Sequence, residues 1–347
     1  MGKQMIKQLL FLVFSVCFTP LVLARPIVNV YTWANEIPME LIWQFEQETG
    51  IKVNLSTYDS NETMYTKLRA NKTNIYDVVV PSTDFIERLL AQHLLTKLDM
   101  SKLPNIKNLD PMFQQNDYDP NNQHSIPLVW GSVGLYYNDR WVTNPPTSWR
   151  MLWDSRWRNQ LMILDDIRSV FSVTLLSLGY DPNDENPQHI AAAYQDLLRL
   201  VPNIKLFGSY AIQSAIIDED ANLGMSWNGD IVKAFAENPH IRYLYPQDGF
   251  ILWIDCLAIP AHAPHLNEAH QFINFLLKAQ SGAAITLQQG YATPNLAGKQ
   301  LLPLALQQNP VIFPSPEILK RGHIVHHSSE ETLELYNQYW QQLKLAF

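Results

Sequence analysis

Cysteine is almost missing from this chain. Its 347 residues include two, Cys17 and Cys256, and the first lies in a leader that reads as cleavable. No intramolecular disulfide is then available, so stability has to come from burial rather than cross-links. Glycine is scarce as well, at 13 residues. The sequence has no G-x-G-x-x-G, no P-loop, no G-x-S-x-G elbow and no H-E-x-x-H, which removes the common nucleotide-binding, esterase and zinc-protease signatures. Positive charge is in the minority, with 25 Lys and Arg against 33 Asp and Glu. A negative surface argues against nucleic acid as a partner. Beyond the leader no apolar run is long enough to cross a bilayer. Repeats, low-complexity tracts and charge runs are lacking too.

The leader itself carries Lys3 and Lys7, then a nearly unbroken apolar run from Leu9 to Leu23. Val22-Leu23-Ala24 supplies small residues at the positions a signal peptidase reads, so residues 1–24 are expected to be a secretory signal. Val16 before Cys17 does not fit a lipidation site, and no membrane anchor is expected. Loss of Lys3 and Lys7 takes the formal charge from −8 to −10. At 47% hydrophobic residues, what remains can build two sizeable cores.

Apolar runs alternate with segments of helical period. Strands are expected at Ile27–Trp33, Lys52–Thr57 and Asp77–Pro81, with helices at Met39–Glu48, Met64–Leu68 and Phe85–Leu95 between and after them. That alternation predicts an α/β fold with mostly parallel sheet covered on both faces. The pattern restarts after Ser125–Asn138, a long extended stretch broken at Gly131-Ser132. A strand at Leu161–Leu164 leads to helices at Ser169–Leu178 and Ile190–Val201. The strand of NLGMSWNGD, a helix at Val232–Glu237 and a strand at Ile241–Tyr245 come next. Ile251–Ile259 is a second long extended stretch. In the helix after it Ala269, Phe272, Ile273, Leu276 and Leu277 share one stripe. The last helix is expected to start at a capping box of Ser328 and Glu331. The two long stretches suggest two lobes joined by β-type crossovers, residues 25–131 plus 255–299 in lobe 1 and 132–254 plus 300–347 in lobe 2.

Catalytic and metal chemistry find little support. His323, His326 and His327 lack a carboxylate or Cys at ligand spacing, so no metal is expected. Asp165 and Asp166, adjacent on an extended chain, face opposite ways, and one of them is expected to cap or pair structurally. What recurs is an aromatic beside an acid. Trp253 and Asp255 alternate on one strand face, Trp227 and Asp230 flank an Asn-Gly turn, and Trp33 ends the first strand with Glu36 just beyond. Ser82 and Asp84 follow the third strand. In an open α/β sheet the ligand crevice lies beyond the carboxyl ends of the strands, where these side chains would converge. Any single Trp is more often a core residue, but three such pairings favour a site. Aromatic faces pack methylenes and attract ammonium groups, and carboxylates accept charge-assisted hydrogen bonds from amines. The fit is to a ligand with cationic ends and an apolar middle, such as a polyamine.

YTWANEIP, STYDSNETMYTKL, DVVVPST, NLDP, SIPLVWG, SWNG, WIDCLAIPA and GYATPN resemble, in order, the periplasmic spermidine/putrescine-binding proteins over nearly the whole chain after the leader. The resemblance implies the two-lobe periplasmic-binding-protein fold (type II), closure around a polyamine, and delivery to an inner-membrane ABC permease by a periplasmic protein without cofactor, expected to be a monomer. Positions that match the family's ligand contacts are Trp33, Ser82, Asp166, Trp227, Trp253, Asp255 and Tyr291. The resemblance makes Asp255 the anchor for an amine, Asp166 the partner of a cation from the second lobe, and the tryptophans and Tyr291 a box for methylenes. Departures are Ala34 for a Thr, Glu36 for a Tyr, Asp84 for an aromatic, Ser169 for a Glu and Val325 for a Gln. Asp230 matches the putrescine-specific relatives. These changes leave the choice between spermidine and putrescine open. Two other readings remain at this stage. A different cationic or amino-acid-like solute is distinguished by whether polyamines compete, and a hydrolase using Asp165, Asp166 or Asp255 by turnover of a labelled substrate.

Overall fold

The computed structural model describes residues 25–70, 75–114, 116–208 and 212–347, so the expected signal segment lies outside the described residues. The strands are β1 (Ile27–Trp33), β2 (Lys52–Tyr58), β3 (Val78–Val79), β4 (Ser125–Asn138), β5 (Leu161–Leu164), β6 (Ile204–Gly208), β7 (Leu223–Trp227), β8 (Ile241–Leu244), β9 (Phe250–Ala258) and β10 (Gly322–Ile324). The helices are α1 (Met39–Thr49), α2 (Asn61–Ala70), α3 (Thr83–Ala91), α4 (Ile167–Ser177), α5 (Pro187–Leu200), α6 (Ile212–Ile217), α7 (Asn228–Glu237), α8 (Leu266–Leu276) and α9 (Ala279–Gln289). Short turns α10 (Leu296–Lys299), α11 (Leu304–Gln307) and α12 (Pro316–Leu319) precede the long C-terminal α13 (Glu330–Ala346).

Strand pairing follows one path, β2-β1-β3-β9-β4-β7-β5-β6, with β10 added to β9 and β8 to β4. The outer members pair in parallel, β1 with β2 and β3, and β5 with β6 and β7. The inner pairings of β4 with β9 and with β7 are antiparallel. The expected separate sheets are therefore one hydrogen-bonded path that bends through β4 and β9.

Alternate residues of β1 show how the first part is covered. Val28 and Val30 pack with Phe45, Leu257 and Phe272 in one core cluster, whereas Tyr31 packs with Val79, Phe85, Ile86 and Cys256 in another. With a side-chain period of two, these are opposite faces of the sheet, and α1 and α8 lie on one while α3 lies on the other. A third cluster joins Leu161, Met162, Phe171, Leu197, Met225, Tyr336 and Trp340.

The clusters divide β4 and β9 at matching places. Ile126 to Trp130 belong to the first pair of clusters and Val133 and Leu135 to the third; Ile254 and Leu257 belong to the first pair and Ile251 to the third. Gly131 sits opposite Trp253 at the division. A Cβ at Gly131 would overlap the Trp253 ring, so glycine there permits the two strands and the indole to close up. α13 packs on the third cluster through Tyr336, Trp340 and Leu343. Ile312, with Leu306, Phe313, Leu319 and Ile324 around it, packs instead on the cluster of Tyr31 and Phe85.

Several local expectations change. The last helix is capped by Ser329, whose Oγ accepts from the Thr332 amide at 3.3 Å, rather than by Ser328 with Glu331. No free turn separates Trp227 from Asp230, because α7 begins at Asn228 directly after β7. Gly229 is helical, and a side chain on it would overlap the Tyr291 ring.

Candidate functional site

The first group of side chains gathers around Asp255, which is 8% exposed on β9. Ser82 occupies the N-cap position of α3, yet its hydroxyl does not cap that helix. It donates to Asp255 Oδ1 at 2.5 Å, while Asn61 Nδ2 donates to Ser82 Oγ at 3.0 Å and Asn61 Oδ1 accepts from the Ser82 amide at 3.2 Å. Asn61 starts α2, so three elements converge on one carboxylate. Trp33, at the end of β1, donates its indole N–H to Val80 O at 3.1 Å and leans on Tyr58 with ring centroids 4.8 Å apart. Tyr58 donates to the same carbonyl at 2.5 Å.

Glu36 reaches this group through a tight turn. Asn35 adopts φ 61°, a left-handed conformation that Asn tolerates better than most residues. The chain then brings Glu36 back under β1, 6% exposed, where Thr32 Oγ1 donates to its Oε2. Its Oε1 is buried without a hydrogen-bond partner. Burial and the Asp255 charge push the Glu36 carboxyl well up, and burial pushes Asp255 up with the Ser82 hydrogen bond opposing it.

A second group forms around Tyr291 after α9. Its ring meets Trp253 edge-on, 4.8 Å between centroids and 82° between planes. Its hydroxyl donates to Asp230 Oδ2 at 3.3 Å, and Gln213 Nε2 donates to Asp230 Oδ1 at 2.8 Å. Burial raises the Asp230 carboxyl. Trp253 packs against core residues of both halves, and its indole nitrogen is buried without a partner. Trp227 ends β7 half-buried against the third cluster. Among the described residues it makes no ring contact with the other aromatic candidates.

The third group lies where α3 faces α4. Half-buried Asp84 is pushed up to about 7 by burial, with Glu62 and Asp166 adding to the rise and Arg168 opposing it. Asp166 is the N-cap of α4, its Oδ1 accepting from the Ser169 amide at 2.6 Å. Asp165 pairs with Lys344 at 3.0 Å. The expectation that one of this adjacent pair caps or pairs structurally is met by both. His326 also leaves the idea of a histidine group, because it binds Glu87 at 2.9 Å while the His327 amide donates to the other Glu87 oxygen at 2.5 Å.

Asp84, Asp166 and Asp230 all stand at helix N-termini, where the helix dipole favours a negative charge whether or not a ligand is near. Their position alone is therefore weaker support than that of Glu36 and Asp255, which lie at no such terminus. The sequence reading missed Asn61, Tyr58, Glu62 and Arg168. The first two follow from the carboxyl end of β2, and a search of residues just past every parallel strand would have found them.

Comparison with known proteins follows the same lines. The model for bacterial extracellular solute-binding proteins matches residues 40–312. The chain is 38% identical over 325 residues to spermidine/putrescine-binding periplasmic protein 1 of Haemophilus influenzae, covering 93% of this chain and 90% of that one. It is 32% identical over 337 residues to the putrescine-binding periplasmic protein SpuD of Pseudomonas aeruginosa, covering 92% of each. A solved putative spermidine/putrescine ABC transporter protein from Listeria monocytogenes superposes with a TM-score of 0.89 at 35% identity, over 92% of this chain and 99% of that one.

Proposed function

The chain belongs to the bacterial extracellular solute-binding proteins, and we propose that it captures a linear polyamine, spermidine or putrescine, between its two lobes and hands it to an ABC importer. The observation that carries this reading is the buried pair Glu36 and Asp255. Both carboxyls are hydrogen-bonded to hydroxyls, and among the described residues neither has a cationic partner. An ammonium group supplies the missing charge, its N–H groups donating to the carboxylate oxygens of both acids. Trp33, Trp253 and Tyr291 stand beside the acids as apolar faces for the methylenes. Asp230 beside Tyr291, and Asp84 and Asp166 across the third group, place further acids for the remaining amines. The names of the relatives, which bind spermidine and putrescine, agree with that chemistry.

The same reading makes the protein periplasmic, delivered by a signal in residues 1–24, and a monomer that meets an inner-membrane permease. No helix among the described residues is long and apolar enough to cross a membrane. It is a capture protein in this reading, supported by the family match and by relatives named as binding proteins. The packing of Leu306, Ile312, Phe313 and Ile324 supports extending lobe 1 through residue 324 and leaving α13 with lobe 2. Delivery requires the lobes to open and close, and the change from one set of cores to the other at Gly131-Ser132 and Leu252-Trp253 supports placing the hinge there.

A thermal-shift panel on residues 25–347 tests the proposal. A ligand that binds only the folded state stabilises it by RT ln(1 + [L]/Kd), about 2.7 kcal/mol at a hundredfold excess over Kd. Putrescine or spermidine raises the midpoint by several degrees, and neutral solutes do not. A rise with an unrelated solute and none with either polyamine overturns it.

A further inference from the structure

Asp230 lies half-buried in the first turn of α7, and neutral donors reach it from two directions. Gln213 on α6 donates from Nε2 to Oδ1 at 2.8 Å, and Tyr291 after α9 donates its hydroxyl to Oδ2 at 3.3 Å. Asp166 is bound by the Ser169 amide of its own helix at 2.6 Å, whereas no α7 amide donates to Asp230. Among the described residues no cation forms an ion pair with it. A carboxylate has about four acceptor positions, so two donors leave room on each oxygen for an N–H from a ligand. The two donors belong to different parts of the molecule. Ile212 and Ile216 of α6 pack with Ile231 and Ala234 of α7 in one core cluster, so Gln213 and Asp230 move together. Tyr291 packs against the cluster of Val28 and Phe45. On the lobe division proposed above, its bond to Asp230 crosses the cleft and the Gln213 bond does not.

We propose that Gln213 is a positioning residue for capture, holding the Asp230 carboxylate in its ligand-ready orientation while the cleft is open, with the Tyr291 contact completed on closure. This rests on the polyamine reading and adds to it a residue that acts through Asp230 rather than on the ligand. Ordering a free side chain on binding weakens affinity, and one fixed beforehand escapes that loss. A neutral amide suits the task, because it orients the acid without supplying the charge that an ammonium brings. A Lys or Arg in its place would occupy the ligand's position on the carboxylate. The same donor favours the ionised acid: burial pushes the Asp230 carboxyl up, and Gln213 opposes the rise.

The test is a double-mutant cycle, read by titration calorimetry of the whole protein with putrescine and with spermidine. Gln213→Met keeps most of the side chain's length and removes its donor. In the parent it weakens binding by about 3- to 12-fold, the factor that one ordered side chain or one ordinary hydrogen bond supplies. In the Asp230→Ser background the carboxylate to be held is gone, and the same substitution changes affinity by less than about 2-fold. Equal losses in both backgrounds assign Gln213 a structural role independent of Asp230 and overturn the proposal. Unchanged affinity in Gln213→Met overturns it too, and both results leave the polyamine reading intact. Gln213→Ala is the second variant, reading the same loss of donor should the thioether disturb α6. If neither polyamine binds the parent, the functional reading itself has failed.

Discussion

Replacing Asp255 by Asn keeps the shape of the side chain and removes the charge on which the proposed amine contact depends. In the parent, Asp255 accepts from Ser82 at 2.5 Å and is 8% exposed. An ammonium donating to it makes a charge-assisted hydrogen bond in a poorly solvated place, worth about 1.5–3 kcal/mol. Loss of that contact lowers polyamine affinity roughly 10- to 150-fold at 1.4 kcal/mol per decade. The empty protein responds in the opposite sense. An amide removes one of two mutually repelling buried acids, and Ser82 still has an oxygen to donate to, so the unliganded melting temperature stays level or rises. Calorimetry with spermidine and putrescine, paired with a melt of the empty variant, reads both effects. Unchanged affinity in a folded Asp255→Asn protein removes Asp255 from the site and refutes the reasoning. Weaker binding with a collapsed melting temperature assigns it a structural role instead.

Other substitutions probe separate parts of the account. Gly229→Ala places a methyl group against the Tyr291 ring, and overpacking of about 1–3 kcal/mol is expected, seen as weaker polyamine binding once the melt confirms a folded chain. Trp227→Ala removes an aromatic face from an ammonium or methylene and weakens binding by about 0.5–2 kcal/mol; an unchanged dissociation constant leaves Trp227 as a core residue only. Calorimetry of Asp230→Ser and Asp84→Tyr tests selectivity: Asp230→Ser weakens putrescine more than spermidine if Asp230 holds an amine, and unchanged affinities for both ligands in both variants place the source of selectivity elsewhere. Glu87 holds the His326 imidazole above its ordinary value. That contact therefore stabilises the fold fully below the ordinary His range near ~6.5 and loses its effect as pH rises through the raised value. His326 is 43% exposed, so Glu87→Gln lowers stability by no more than about 1 kcal/mol, in melts at acid pH and not at alkaline pH.

Much of this architecture was legible because strong periodicity is a local property. β1, β4 and β5 lie where alternation placed them, α1 runs one residue further, β9 is shifted by one residue at both ends, and α8 ends at Leu276 with Leu277 of the expected stripe as its C-cap. The strand β6 escaped notice because only Ile204 of its five residues is fully buried, leaving no pattern to read. β10 is three half-buried residues whose strand character comes from pairing with β9. Joining both halves into one path is likewise a tertiary event, since β4 exchanges partners at Val133. Within the site, period-two alternation placed Trp253 and Asp255 on one face. Alternation says nothing of the left-handed Asn35 that swings Glu36 inward, nor of Ser82 turning from its own helix toward Asp255. Those depend on side chains distant in sequence, Asn61 and Asp255 among them.

The most direct test of the central claim is calorimetric titration of residues 25–347 with spermidine and putrescine at neutral pH and physiological salt. The account predicts saturable binding of one polyamine per chain, with no detectable heat from neutral sugars or uncharged amino acids at the same concentration. A flat titration with both polyamines, alongside saturable binding of a neutral solute, would contradict it.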